Sequence, residues 1–422
     1  MRSSNLRERT VSPRNTAFRK YGTMFLGGVV SGQVSIKELE RRWSAVRKAM
    51  DSQNIDVLFG YSASDTLGGH IRYLVDLPSA GSYPTTLIFP RDDDMTLVVH
   101  GSFKGDQSLE PQREGALRGI KRMLTTPAFL DVHYTKEYEA ERADVALAAY
   151  SKARVGLLNP QQIPFPMMDY LRRGNLAHAD IVDATDLLDR IKAVKSDEEI
   201  ALIRQVAAQQ DEAVGIAFAS IKVGMEEKQV AELANHQMRL RGSMQGILMS
   251  GSGPIGTPSG IRMPFMQGRR IEAGDQFHFL LEVNGREGFY TELGRFGVMG
   301  TIPQAMQEQF ELLLEARQVT LDRMRPGVAP RDIWDAHNAF SRSRGLQEET
   351  RLYSHSQGYD LVERPLIRSD EDMLLTENMV FAVHPMIATP TSFTWICDNF
   401  LVRKDGPPER LHRFPEKVIE IH

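Results

Sequence analysis

Phe277-His278-Phe279-Leu280-Leu281-Glu282-Val283, Asn284-Gly285-Arg286-Glu287-Gly288 and Phe289-Tyr290-Thr291-Glu292-Leu293-Gly294-Arg295-Phe296-Gly297-Val298-Met299 form one continuous stretch. Aromatic and aliphatic residues crowd both outer segments, and the Asn/Gly-rich piece between them has turn chemistry. The stretch therefore reads as two strands joined by a short connection. Glu272-Ala273-Gly274-Asp275 is a turn that leads into the first of them.

Upstream, Ser196 followed three residues later by Glu199 is a capping box, and the apolar run Ile200, Ile203, Val206, Ala207 follows it. This predicts a long helix from Asp197 to about Ser220. A second helix is expected after Gly224, and a strand at Ile247–Met249. Downstream, helices are expected over about Pro303–Arg325 and Pro330–Arg344, and strands over Met379–His384 and Trp395–Val402. Helices followed by antiparallel strands predict an α+β unit.

Nearer the N-terminus, Ile36, Leu39, Trp43, Val46 and Met50 have helical spacing. Strands are expected at Asp56–Gly60, Arg72–Leu74, Thr85–Phe89, Met95–Val99 and Arg154–Leu158. Helices are expected near Glu114–Thr125, Tyr138–Lys152 and Pro166–Arg173. Alternation of this kind predicts an α/β domain. The expected organisation is a basic N-terminal arm over 1–35, an α/β domain over 36–192 and an α+β domain over 193–422.

With 422 residues the chain is long enough for two or three domains, and 41% hydrophobic and 25% charged residues are ordinary for a globular protein. Lys plus Arg is 51 against 55 for Asp plus Glu, a net charge of −4, which excludes a globally basic nucleic-acid binder. The one cysteine, Cys397, excludes an internal disulfide and any multi-cysteine zinc site. No apolar run approaches the roughly 20 residues needed to cross a bilayer. No nucleic-acid or membrane partner is expected, and the expected location is cytoplasmic.

The order of these features resembles the pita-bread fold of creatinase, the Xaa-Pro aminopeptidases and the prolidases, the peptidase M24 family. Tyr290-Thr291-Glu292-Leu293-Gly294-Arg295 is similar to the family's Tyr-x-Asp-x-x-Arg strand. His355-Ser356-Gln357-Gly358 lies where the family has His-Gly-x-Gly, Val383-His384-Pro385 where it has a segment ending in Glu-Pro, and Asp398-Asn399-Phe400-Leu401-Val402 resembles the strand after its last ligand. The resemblance covers about residues 36 to 415 and implies an α/β N-terminal domain, a pita-bread catalytic domain and a homodimer.

The family holds two metal ions with two Asp, one His and two Glu. Carried over by spacing, these positions fall on Leu281, Glu292, His355, His384 and Cys397, and the family's additional catalytic histidines fall near Ser259 and on Val362. Three carboxylates are replaced, so the dinuclear site is not expected. Glu282 becomes a candidate for the first ligand only if the strand register slips by one. No cofactor is expected, with a single divalent metal on Glu292, His355, His384 and Cys397 as the alternative.

The resulting expectation is a creatinase-like enzyme, a lyase or C–N hydrolase rather than a peptidase, that cleaves a bond in a small organic, aromatic or carboxylated molecule. His355, His384 and Glu292 would be its catalytic residues, because histidine titrates near neutral pH. Arg295, Tyr290, Tyr359, Trp395 and Leu281 would bind substrate, with Arg72 and Tyr83 contributed from the N-terminal domain. His278 reads as structural. The alternatives are an Xaa-Pro aminopeptidase or dipeptidase with unusual metal ligands, a dimethylsulfoniopropionate-lyase-like enzyme, and a non-catalytic binding member of the family.

Overall fold

The computed structural model describes residues 34–63, 67–78, 83–110 and 114–422. The basic arm lies outside them except for Val34 and Ser35. Ser35 caps the helix Ile36–Ser52, accepting from the Glu38 N–H, and Leu39, Trp43, Val46 and Met50 form that helix's buried stripe.

The N-terminal half is built on a seven-stranded sheet. Its strands are β1 (Val57–Ser62), β2 (Thr85–Pro90), β3 (Met95–His100), β4 (Gly105–Ser108), β5 (Ile120–Thr126), β6 (Arg154–Leu158) and β7 (Asp180–Asp183), in the order β4-β5-β3-β2-β1-β6-β7. The α/β expectation holds here, with two local corrections. Arg72-Tyr73-Leu74 belongs to a helix, Gly69–Val75, closed by Asp76 in the left-handed conformation with its carboxylate on Arg118. The expected Glu114–Thr125 helix is instead strand β5. Gly119 has φ +68° with the Trp43 ring packed against it, which stops a helix there, and Ile120 onward pairs with β3. Local periodicity lost to strand pairing at that point.

In the C-terminal half the capping box at Ser196 and Glu199 opens a helix over Asp197–Ser220, the range the sequence predicts. Helices Glu227–Leu240, Gln304–Leu321 and Pro330–Ser343 also fall where expected. Strands β8 (Gly246–Pro254), β9 (Asp275–Asn284) and β10 (Tyr290–Met299) form an antiparallel sheet. It is extended on the β10 side by a parallel strand whose range is Ile419–Ile421. β11 (Ser354–Ser356), β12 (Glu363–Leu366), β13 (Val380–Val383), β16 (Asp398–Leu401) and β17 (Glu409–Arg410) form a second sheet, and β14 (Met386–Thr389) and β15 (Ser392–Trp395) a hairpin. The single strand expected over Trp395–Val402 is thus split between β15 and β16. Reciprocal Gly294–Cys397 backbone bonds of 3.1 Å stitch β10 to the second sheet.

Strand alternation divides β9 and β10 into two faces. Phe277, Phe279, Leu281, Val283 and Leu293 pack on Val206, Ala213, Val214 and Val230 of the two helices that precede the sheet. The other face carries Glu282 and Glu292 directly across from each other, followed by Leu280 opposite Gly294 and His278 opposite Phe296.

The two halves meet through buried charge. Arg42 is fully buried and bonds Glu38 at 2.8 Å, Glu199 at 2.9 Å and the Tyr359 hydroxyl at 3.2 Å. Lys192 reaches Asp360 at 2.8 Å, and Lys195 reaches Glu363 at 2.7 Å. The segment following His355 is thereby tied to the N-terminal half and to the entry of the Asp197–Ser220 helix. Among the described residues, no helix is long and apolar enough to cross a membrane.

Candidate metal centre

Three strands supply the centre. Glu292 comes from β10 and His355 from β11, and His384 follows the end of β13. Each offers a ligand-type atom, and these atoms lie within 4.8 Å of one another. The His355 and His384 rings sit edge to face, 5.2 Å between centroids. Glu292 and His355 are buried, while His384 keeps partial exposure and so marks the open side of the centre.

The donor atoms are arranged for a cation. His355 Nδ1 lies 3.1 Å from the Ser356 carbonyl, which can only accept, so Nδ1 carries the hydrogen. Burial lowers the His355 pKa to about 4, so the ring is neutral and its Nε2 presents a lone pair. That lone pair faces Glu292 Oε2 at 3.6 Å, and this oxygen is buried with no hydrogen-bond partner among the described residues. Two acceptors turned toward each other call for a cation or a proton between them. A histidine held from behind by a carbonyl is also the usual support of a metal ligand. Burial pushes Glu292 up to about 7, which is the cost of holding that carboxylate without a countercharge. His384 is lowered well below its ordinary value, by burial first and then by His355. A divalent cation fits this donor set.

The register corrects the placement of the first ligand position. Leu281 pairs with Leu293 and is buried on the helix side, whereas Glu282 is the residue across from Glu292. Counting eleven residues back from Glu292 lands on the wrong face of the pleat. Glu282 is held by Gln357, whose Nε2 donates to Oε1 at 2.7 Å. Burial, followed by the neighbouring Glu292 charge, raises the Glu282 pKa.

Arg295 stands three positions from Glu292, on the opposite face of β10. Its guanidinium bonds Asp398 at 2.7 Å and the carbonyls of Gly294, Cys397, Phe414 and Pro415. Asp398 has already taken the fork expected to clamp substrate. Cys397 does not join the three-ligand cluster; its thiol lies 3.6 Å from the Glu292 carbonyl, and burial raises its pKa. His278 stacks on Phe296 at 5.0 Å, fully buried, in agreement with a structural role.

The remaining candidates are spread more widely. Trp395 joins Leu280, Ala382, Phe393 and Cys397 in an apolar cluster behind the centre, and its indole Nε1 is buried with no partner among the described residues. Tyr290 donates to Gln245. Tyr359 stacks on Phe289 at 4.2 Å, and Arg72 lies 5.7 Å from the Tyr359 ring centroid, at the junction of the halves. Tyr83 stacks on His100 at 4.3 Å within the N-terminal half. Gln357 and Asn399 were not singled out from the sequence; nothing in its pattern marks their amides as partners of the carboxylates.

One substitution tests how tightly the frame around Glu292 is packed. A Cβ on Gly294 would overlap the Trp395 indole. Gly294→Ala is expected to cost about 1–3 kcal/mol of stability, as overpacking does, measured by urea unfolding. Wild-type stability in that variant would show that the ring is free to move aside.

A family model described as metallopeptidase family M24 matches residues 201–404. The chain is 26% identical over 243 residues to the putative dipeptidase YkvY of Bacillus subtilis, covering 57% of this chain and 66% of that protein. It is 24% identical over 265 residues to an Xaa-Pro dipeptidase of Pyrococcus horikoshii, covering 61% and 73%. Among solved structures, the prolidase from Pyrococcus horikoshii OT3 superposes with a TM-score of 0.70 at 18% identity, covering 90% of this chain and 100% of that one. The Xaa-Pro dipeptidase from Bacillus anthracis gives 0.72 at 16% identity, covering 90% and 99%. These relatives are named as dipeptidases and prolidases. This overturns the expectation of a lyase or C–N hydrolase set apart from the peptidases. Residues 201–404 therefore match metallopeptidase family M24, and the chain has the pita-bread fold of the solved prolidases.

Proposed function

We propose that the chain is a metal-dependent peptidase of the Xaa-Pro dipeptidase type, working with one divalent cation held by Glu292, His355 and His384. The observation that carries this reading is the convergence of those three donors within 4.8 Å, with a lone pair and a bare carboxylate oxygen turned toward each other. The names of the relatives support the substrate class. The reading replaces the expectation of a metal-free centre.

When bound there, a divalent cation supplies Lewis-acid polarisation and makes water a usable nucleophile near neutral pH. The protein's own groups do the rest. Glu292 and His355 are buried in strands that fix their rotamers, while His384 borders the open side. Trp395, Leu280 and Phe393 back the centre with an apolar cluster, which suits a site with a few polar groups in apolar surroundings. Tyr290, Tyr359, Arg72 and Tyr83 are secondary candidates in substrate binding, and a homodimer belongs to the same reading. Light scattering would then give twice the chain mass of 47.6 kDa.

The test is hydrolysis of an Xaa-Pro dipeptide by the full chain after loading with Mn²⁺ or Co²⁺. Turnover that chelation removes is expected; no turnover of any Xaa-Pro dipeptide with either metal would sink the reading. The reading also carries a pH dependence. Glu292 titrates at about 7 in the metal-free protein, while His355 is already neutral above about 4. Cation binding must therefore displace one proton below pH 7. Mn²⁺ affinity, measured by calorimetry, is expected to rise with pH between 5 and 7 as the raised Glu292 carboxyl gives up its proton. An affinity that does not change between pH 5 and 7 would contradict it.

A further inference from the structure

Once Glu292, His355 and His384 are assigned to the cation, one carboxylate remains opposite Glu292 on the same face of the hairpin: Glu282. Its Oε1 is anchored by Gln357 Nε2 at 2.7 Å, and among the described residues its Oε2 has no hydrogen-bond partner.

The anchor has a fixed direction. The Glu292 backbone N–H lies 2.6 Å from Asn399 Oδ1, and a backbone N–H can only donate, so that atom is the amide oxygen. Asn399 Nδ2 is then a donor, 2.7 Å from Gln357 Oε1. Gln357 Nε2 is thereby left as the donor that meets Glu282. His412 braces the outer end, with Nε2 3.2 Å from Asn399 Oδ1 and Nδ1 3.2 Å from Asp211. Gln357, Asn399 and His412 are all buried. No amide in this chain can turn over without setting two like atoms against each other. A buried network completed in this way holds a single geometry.

We propose that Glu282 takes the proton of the water that attacks the scissile carbonyl and passes it to the leaving amine, with Gln357 and Asn399 as its positioning residues; this rests on the peptidase reading above. The water O–H bond breaks as the new C–O bond forms, and the proton moves to Glu282 Oε2. When the C–N bond breaks, the same proton moves from Glu282 to the departing nitrogen. Glu282 returns to a carboxylate, so no oxidant, reductant or co-reactant is needed.

The experiment uses the full chain loaded with Mn²⁺, an Xaa-Pro dipeptide, and calorimetric Mn²⁺ titration of the metal-free protein. Glu282→Gln keeps the shape and removes the proton acceptor. Its kcat is expected to fall by more than about 100-fold, the usual worth of a positioned acid/base group, with KM and Mn²⁺ affinity within about threefold of wild type. Gln357→Met is expected to lower kcat about tenfold at unchanged KM, and to add nothing in the Glu282→Gln background, because it acts only through Glu282. Glu282→Gln retaining more than about a tenth of wild-type kcat overturns the proposal. So does a loss of Mn²⁺ affinity in that variant beyond about tenfold, which would make Glu282 a ligand. Additive losses in the double variant overturn the positioning role of Gln357. A wild-type chain inactive on every Xaa-Pro dipeptide overturns the peptidase reading and this proposal together, an outcome distinct from an active Glu282→Gln variant.

Discussion

His355→Ala is expected to lower the affinity of the full chain for Mn²⁺ by more than about 100-fold, since loss of a mere supporting partner already costs 10–100-fold. His355 supplies the one lone pair whose orientation is fixed from behind, through Nδ1 and the Ser356 carbonyl. Without it, Glu292 Oε2 and His384 would be left to bind a cation across a vacated space. Burial without a countercharge already raises the Glu292 carboxyl, which favours its protonated form over a cation-binding carboxylate. His384→Ala is expected to weaken binding to a similar extent, with a smaller structural consequence because His384 is partly exposed. His278→Ala provides the contrast. That ring fills a slot between Phe296 and Phe393, 5.0 Å from each, so its loss should lower stability and leave cation affinity unchanged. Equal Mn²⁺ affinity in wild type and His355→Ala, measured by calorimetry, would remove His355 from the centre.

Asp398→Ala is expected to destabilise the fold by about 3–5 kcal/mol, because it strands buried cations. Asp398 is fully buried and accepts from Arg295 at 2.7 Å and Arg317 at 2.8 Å, both of them buried as well. Burial alone would raise the Asp398 carboxyl, but Arg295 and Arg317 outweigh it and hold the group below its usual range. A carboxyl depressed in the folded state stabilises above its unfolded pKa of about 3.9, and that contribution is lost only as pH falls from there through the folded value. The gap between wild type and Asp398→Ala in urea unfolding should thus stay constant from pH 5 to 8 and close in acid. A gap below about 1 kcal/mol would show that the arginines find other partners or water. This pair also explains why Arg295 serves architecture: it joins β10 to β16 through Asp398 and the Cys397 carbonyl.

Much of this frame was legible in the sequence where local and global signals agree. The capping box at Ser196 and Glu199 and the apolar run behind it give the Asp197–Ser220 helix with its bounds, because the cap satisfies the first-turn donors whatever packs later. The strands flanking Asn284–Gly288 were legible for the same reason. Gly69–Val75 and β5 were misread because their residues suit either period, and contacts far along the chain decide the outcome. At the site, residue types pointed to Glu292, His355 and His384, which three separate elements bring together. The hairpin register was not legible: a spacing carried over from relatives selected Leu281, while the observed pairing brings Glu282 to the carboxylate face. Arg295 looked like a substrate clamp because its partner, Asp398, lies 103 residues away in sequence. The Gln357–Asn399 amide chain left no sequence signal, since its meaning lies in which atom faces which.

The account stands on one cation held by one glutamate and two histidines. Its most direct test is the number of tightly held divalent ions per chain, counted by mass spectrometry after saturation with Mn²⁺ and desalting. One ion in the wild type, lost in His355→Ala, is the predicted result. Two ions per chain, or none, would contradict it.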